Sequence, residues 1–179
     1  MKQVIIVVPR GNVNLSSITG SYDILSRAND YWKRQGNPAV WNVKIAGYDP
    51  EVNLSNGFFS VHPMAIDADS QADLVIIPSL NYDFEAVLRE NVALVGWINA
   101  QYKGGAEIAS ICTGAFLLAA TGLLAGKTCS THWNAAKDFR RLFPGIELQP
   151  DRLIVAEKGI YSNGGAYSFL NLMLFLVEK

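Results

Sequence analysis

Five consecutive β-branched residues, Val4-Ile5-Ile6-Val7-Val8, limit the folds open to this chain more than any other feature. A run with no polar alternation leaves no face for water, which is the pattern of a strand buried on both sides in a parallel sheet. Leu74-Val75-Ile76-Ile77-Pro78 repeats it, and residues 106–111 form a third such segment. Between these runs lie helical patterns. Tyr22, Ile24, Leu25, Ala28, Tyr31 and Trp32 fall close to helical spacing within residues 20–34, and residues 84–102 form one long helical segment stopped by Lys103-Gly104-Gly105.

The remaining segments continue the alternation. Residues 41–48 read as a strand, and Ser55-Asn56-Gly57 sits between apolar residues as the turn of a small hairpin over 53–61. Residues 128–131 form a short strand, and a helix over 133–143 is closed by Pro144-Gly145. Segments 153–156 and 160–162 flank a turn at Lys158-Gly159, and 165–177 form the last helix. Strands alternating with helices predict a doubly wound, three-layer α/β sandwich with a mostly parallel sheet. Without an internal repeat, low-complexity tract or linker, residues 1–179 are expected to form one domain.

Composition narrows the function. Half of the 179 residues are hydrophobic, enough for a substantial core, and the net charge of −1 carries no electrostatic footprint for nucleic acid or an anionic membrane. The amino terminus lacks the basic region, long apolar stretch and small-residue cleavage site of a secretion signal, so a cytoplasmic location is expected. No apolar stretch reaches the ~18 residues needed to span a bilayer. Cys112 and Cys129 lack metal-ligand spacing and are expected to be reduced thiols, with no metal or cofactor.

Cys112 stands where the 106–111 strand gives way to the small residues Thr113-Gly114-Ala115. Such an elbow holds its central side chain in a strained conformation above the sheet edge, facing the first free N–H groups of the next helix. The helix dipole is then expected to lower the thiol pKa; the alternative is a small buried cysteine, against which the position between strand and helix start weighs. Ligands of doubly wound sheets bind beyond the carboxyl ends of the strands, where Cys112 sits. His132 opens a helix at another sheet end and either reaches the thiol or caps that helix and packs on Trp133. The Thr113 N–H and an N–H within Pro78-Ser79-Leu80 are candidate oxyanion donors. His62 reads as a surface histidine, the four tryptophans as core or interface residues, and Lys137, Arg140 and Arg141 as a solvated helix face.

Taken in order, Ile111-Cys112-Thr113-Gly114-Ala115, Leu123-Leu124-Ala125-Gly126-Lys127, Ser130-Thr131-His132-Trp133, Phe143-Pro144, Asp151-Arg152-Leu153-Ile154 and 159–168 resemble the ThiJ/PfpI branch of the class I glutamine-amidotransferase-like superfamily. Within it, the chain is most similar to the amino-terminal sensor domain of AraC-type, GlxA-like regulators. The resemblance implies a flavodoxin-like sandwich with Cys112 at a nucleophile elbow, a homodimer, and DNA binding only through a carboxy-terminal helix-turn-helix domain that these residues do not include. The chain is therefore either an excised sensor domain or a stand-alone relative. Catalytic relatives place an acid in the loop after the first strand, where this chain has Ser17, and protease-like members follow the cysteine with histidine, where it has Thr113. A serine cannot deliver or accept a proton at neutral pH as a carboxylate does. The implied function is small-molecule sensing and dimerisation, with Ser17, Leu80 and Thr113 beside Cys112 and His132 in an apolar ligand pocket. A cysteine-dependent hydratase or amidase is the alternative.

Overall fold

A computed structural model describes residues 1–67, 70–165 and 167–179. The three apolar runs form β1 (Lys2–Val8), with α1 (Leu15–Arg34) and β2 (Trp41–Gly47) after it, then, beyond the hairpin β3 (Val52–Leu54) and β4 (Phe59–Val61) and the short β5 (Met64–Ala65), β6 (Leu74–Ile77). Two helices, α2 (Phe84–Glu90) and α3 (Val92–Lys103), lead to β7 (Glu107–Ser110) and α4 (Ala115–Ala120). The last third contributes β8 (Thr128–Cys129), α5 (Ala136–Leu142), β9 (Glu147–Leu148), β10 (Ile154–Glu157), β11 (Ile160–Asn163) and α6 (Phe169–Glu178).

Among the described residues the central sheet runs β10-β11-β7-β6-β1-β2-β5, parallel throughout except for the antiparallel β10–β11 pair. Val4 to Val8 and Leu74 to Ile77 are all buried, so both faces of the sheet are covered. α1 packs with α6, while α4 packs with α2 and α3. Phe116 of α4 anchors an aromatic cluster, stacked on Phe84 at 3.8 Å and edge-on to Phe139 at 5.1 Å. This is the flavodoxin-like sandwich expected. Along its carboxyl edge the chain leaves β1 toward α1, β6 toward Ser79 and β7 toward Cys112, so three loops converge there.

Several boundaries differ from the sequence reading, each for a local reason. α1 starts at Leu15 rather than Gly20 because the Asn14 side chain caps it, accepting the Ser16 N–H at 3.0 Å. Ser17 is therefore in the first turn of a helix and not in a loop. The helix expected over 84–102 breaks at Asn91, whose buried amide donates to the carbonyls of Val87 and Arg10 and accepts the Arg10 N–H at 2.8 Å. The strand expected over 128–131 shrinks to Thr128–Cys129 and pairs with β9 outside the main sheet. A 3-10 turn at Trp133–Ala135 precedes α5, and α6 begins at Phe169 rather than Gly165. Ala166, within the motif and helix expected there, lies outside the described residues. Of the tryptophans, Trp97 is buried whereas Trp133 is exposed. His62 is exposed beside Ser60, as its sequence setting suggests. Among the described residues no helix is long and apolar enough to cross a membrane.

Candidate functional site

Cys112 follows β7 with φ of 53°, the left-handed region that a non-glycine residue enters at a cost of about 1–3 kcal/mol. Two buried side chains hold it there. Its N–H donates to Asn163 Oδ1 at 2.8 Å, and its carbonyl accepts the Thr131 hydroxyl at 3.0 Å. Gly114 follows with ordinary helical angles, and what it supplies is room, because a Cβ there would lie 2.6 Å from the Pro78 carbonyl oxygen and 2.8 Å from that of Ile77. The strand-to-helix turn is thus pressed against the end of β6.

The groups around the thiol are bonded to one another. Ser17 Oγ donates to the Asn14 carbonyl at 2.7 Å and accepts the Ser79 N–H at 3.0 Å. Thr113 Oγ1 donates to the Leu80 carbonyl at 2.6 Å and accepts the Leu80 N–H at 2.8 Å, with Ser79 Oγ 2.9 Å away. Both N–H groups proposed as oxyanion donors after Pro78 are therefore occupied by side chains. The Thr113 N–H instead faces the Cys112 sulfur. With the Thr113 proton committed to Leu80, the Ser79 proton is left for Thr113 Oγ1 or the thiolate.

The expected lowering of the Cys112 pKa is overturned. Burial pushes the thiol up, and the Ser79 hydroxyl and the N–H and hydroxyl of Thr113 offset only part of that rise. The reason is geometric: the Cys112 side chain lies inside the sandwich, where its charged form is poorly solvated. Burial alone drives Cys129 further, to about 12.

A cavity of about 130 Å³ adjoins the thiol, lined by Cys112, Thr113, Leu80 and His132 with Ser79, the aromatic residues Tyr82 and Phe84, and the asparagines Asn14, Asn81 and Asn134. Of the residues expected to line a pocket here, the cavity brings Leu80, Cys112, Thr113 and His132 together, and Ser17 does not line it. His132 spends Nδ1 on the Asn134 N–H at 3.2 Å and stacks on Trp133; no hydrogen bond joins it to Cys112. Capping, the second of its two readings, is the one the structure adopts. Among the described residues this lining includes no carboxylate, lysine or arginine, and no group of three or more His, Cys, Asp or Glu is placed to hold a metal ion. A larger cavity of about 650 Å³ opens at the opposite end of the sheet, between α1 and the end of α6; its lining includes Lys2, Asp73, Glu107 and Lys179 and none of the residues around Cys112.

From sequence, Ser79 enters only through its backbone N–H, and Thr131 and Asn163 only as members of longer motifs; none of their side chains is given a role. Their only local signal is a small polar residue closing an apolar or strand-like run. The capping role of Asn14 was legible in principle, as Asn followed by a helical segment.

The family model described as DJ-1/PfpI matches residues 2–179. The chain belongs to the DJ-1/PfpI family. The ThiJ/PfpI resemblance drawn from the motifs around Cys112 agrees with this assignment. The DJ-1/PfpI chain is 30% identical over 169 residues to the HTH-type transcriptional regulator GbdR of Pseudomonas aeruginosa, covering 94% of this chain and 44% of that protein. It is also 30% identical over 164 residues to an isonitrile hydratase of Pseudomonas putida, covering 90% of this chain and 65% of the hydratase. Among solved structures, a candidate transcriptional regulator protein from Vibrio parahaemolyticus superposes with a TM-score of 0.85 at 28% identity, covering 99% of this chain and 91% of that one. The chain spans less than half the length of the curated regulators that head its matches.

Proposed function

We propose that this domain is the ligand-sensing and dimerisation part of an AraC-type transcriptional regulator, acting in the cytoplasm and contacting DNA only through a separate helix-turn-helix domain, and that it does not turn its ligand over. One observation carries the non-catalytic reading. The Ser79 and Leu80 N–H groups and the Thr113 hydroxyl proton are engaged with neighbouring side chains and backbone, and Ser17, in the acid's place, is tied to Asn14 and Ser79. A nucleophilic thiol needs a base or a depressed pKa, and here burial raises the pKa. Similarity to HTH-type regulators supports the regulatory half. The ligand that suits the cavity is a small, weakly polar molecule, matching a lining that mixes asparagines with Leu80, Tyr82 and Phe84.

Similarity to an isonitrile hydratase, together with the Cys112-Thr113 pair that resembles that group, favours one other reading, a cysteine-dependent hydratase. Assays with isocyanides, amides and methylglyoxal decide between the two. The sensing reading expects background turnover from the unmodified chain. It also expects Ser17→Glu to raise any residual activity, since a positioned acid–base group contributes about 10²–10⁴-fold, and Cys112→Ser to remove it. Turnover above about 1 s⁻¹, an ordinary enzymatic rate, that is lost in Cys112→Ser would establish the hydratase instead.

The dimer is supported by α6, which is apolar on nearly every face and leaves Leu170 and Leu174 more than half exposed. A helix apolar all round is normally buried on all sides. The double change Leu170→Glu with Leu174→Glu is expected to convert a dimer into a monomer in sedimentation equilibrium without changing the circular dichroism. A monomeric parent chain at high concentration would refute dimerisation.

A further inference from the structure

Asn163, the last residue of β11, is fully buried and is the only side chain that touches both the Cys112 turn and the start of α6 through hydrogen bonds among the described residues. Its Oδ1 accepts the Cys112 N–H at 2.8 Å, while its Nδ2 donates to the Gly165 carbonyl at 3.0 Å and to Ser168 Oγ at 2.8 Å. Ser168 in turn starts the helix, its carbonyl accepting the N–H groups of Asn171 at 3.0 Å and Leu172 at 3.3 Å. No side chain caps α6 directly; its first turn is tied to β11 by this chain of bonds, beside the packing of Phe169 on Gly20 of α1.

We infer that Asn163 is a positioning residue that joins the Cys112 turn to the first turn of α6, so that filling the cavity beside Cys112 is transmitted to α6. This inference rests on the sensing reading and supplies its route from ligand to helix. The position requires one acceptor and two donors together, which asparagine has, whereas aspartate lacks the donors and serine has only one. Cys112 is in a strained conformation and its carbonyl is held by Thr131, so a group pressing on its side chain moves the peptide that carries its N–H. A buried N–H left unpaired is costly, so Asn163 follows that peptide. Its amide then shifts against Ser168, and the α6 turn that presents Leu170 shifts with it.

Hydrogen–deuterium exchange of the whole chain tests this, with iodoacetamide as the probe that fills the cavity from Cys112 and mass spectrometry confirming that Cys112 alone is modified. Cys112→Met fills the same space wherever alkylation is incomplete. In the parent chain, filling the cavity is expected to change exchange at the Asn171 and Leu172 amides by about fivefold or more, the lower end of ordinary coupling between sites. Ser168→Ala is expected to keep the Cys112 amide protected and abolish that response. Asn163→Ala is expected to abolish it and also expose the Cys112 amide; if this variant does not fold, Ser168→Ala decides alone. The coupling is overturned if Asn171 and Leu172 do not respond in the parent chain, or if their response survives Ser168→Ala. Turnover by the parent chain would defeat the sensing reading while leaving these exchange results standing, so the two failures are distinguishable.

Discussion

Gly114→Ala is expected to destabilise the domain by about 3 kcal/mol or more, placing it among the most damaging single substitutions of its size. The added Cβ would approach two backbone carbonyl oxygens, at 2.6 and 2.8 Å, and backbone at the end of a buried strand cannot step aside as a side-chain tip can. For a domain of this length such a loss lowers the melting temperature by about 6–12 °C. Gly96, inside α3, is the control: nothing lies within 4 Å of its added Cβ, so Gly96→Ala is expected to be neutral or to stabilise by about 0.5–1 kcal/mol through helix propensity. Equal denaturation midpoints for the two variants would refute the packing of the Cys112 turn against the end of β6.

The second large effect separates the two thiols. Alkylation proceeds through the thiolate, and a pKa moved from 9.0 to about 12 leaves Cys129 with about a thousandth of the thiolate of an ordinary cysteine near neutral pH. Cys129 is also fully buried with no hydrogen-bond partner for its charge among the described residues, whereas Cys112 borders a cavity and has the Ser79 and Thr113 donors. Cys112 is therefore expected to react at least about tenfold faster in the folded protein. Both rates should climb with pH through the alkaline range, that of Cys129 still rising as pH approaches 12. Mapping the alkylated residue by mass spectrometry across pH checks this, and faster modification of Cys129 would remove the special status of the turn. The ordering is the one expected from sequence, but its cause differs: the Ser79 and Thr113 donors offset part of the effect of burial at Cys112, whereas burial acts alone at Cys129.

The sequence by itself determined the sheet and the place of Cys112 on it. Runs such as Val4 to Val8 encode burial on both faces in adjacent residues, and a helix-period pattern must flank each of them, so strand and helix identity is a local property. The family was legible for the same reason, since its motifs are contiguous. Only the tertiary structure decided what surrounds the thiol. The break at Asn91 depends on Arg10, the clamp on Cys112 depends on Asn163 and Thr131, and the engagement of Ser17 depends on Ser79, all partners remote in the chain. The pKa of Cys112 likewise follows from how much of the fold closes over it. Hydrogen-bond partners and desolvation are set by atoms that meet in space, and no spacing within a segment records which distant residue will arrive there.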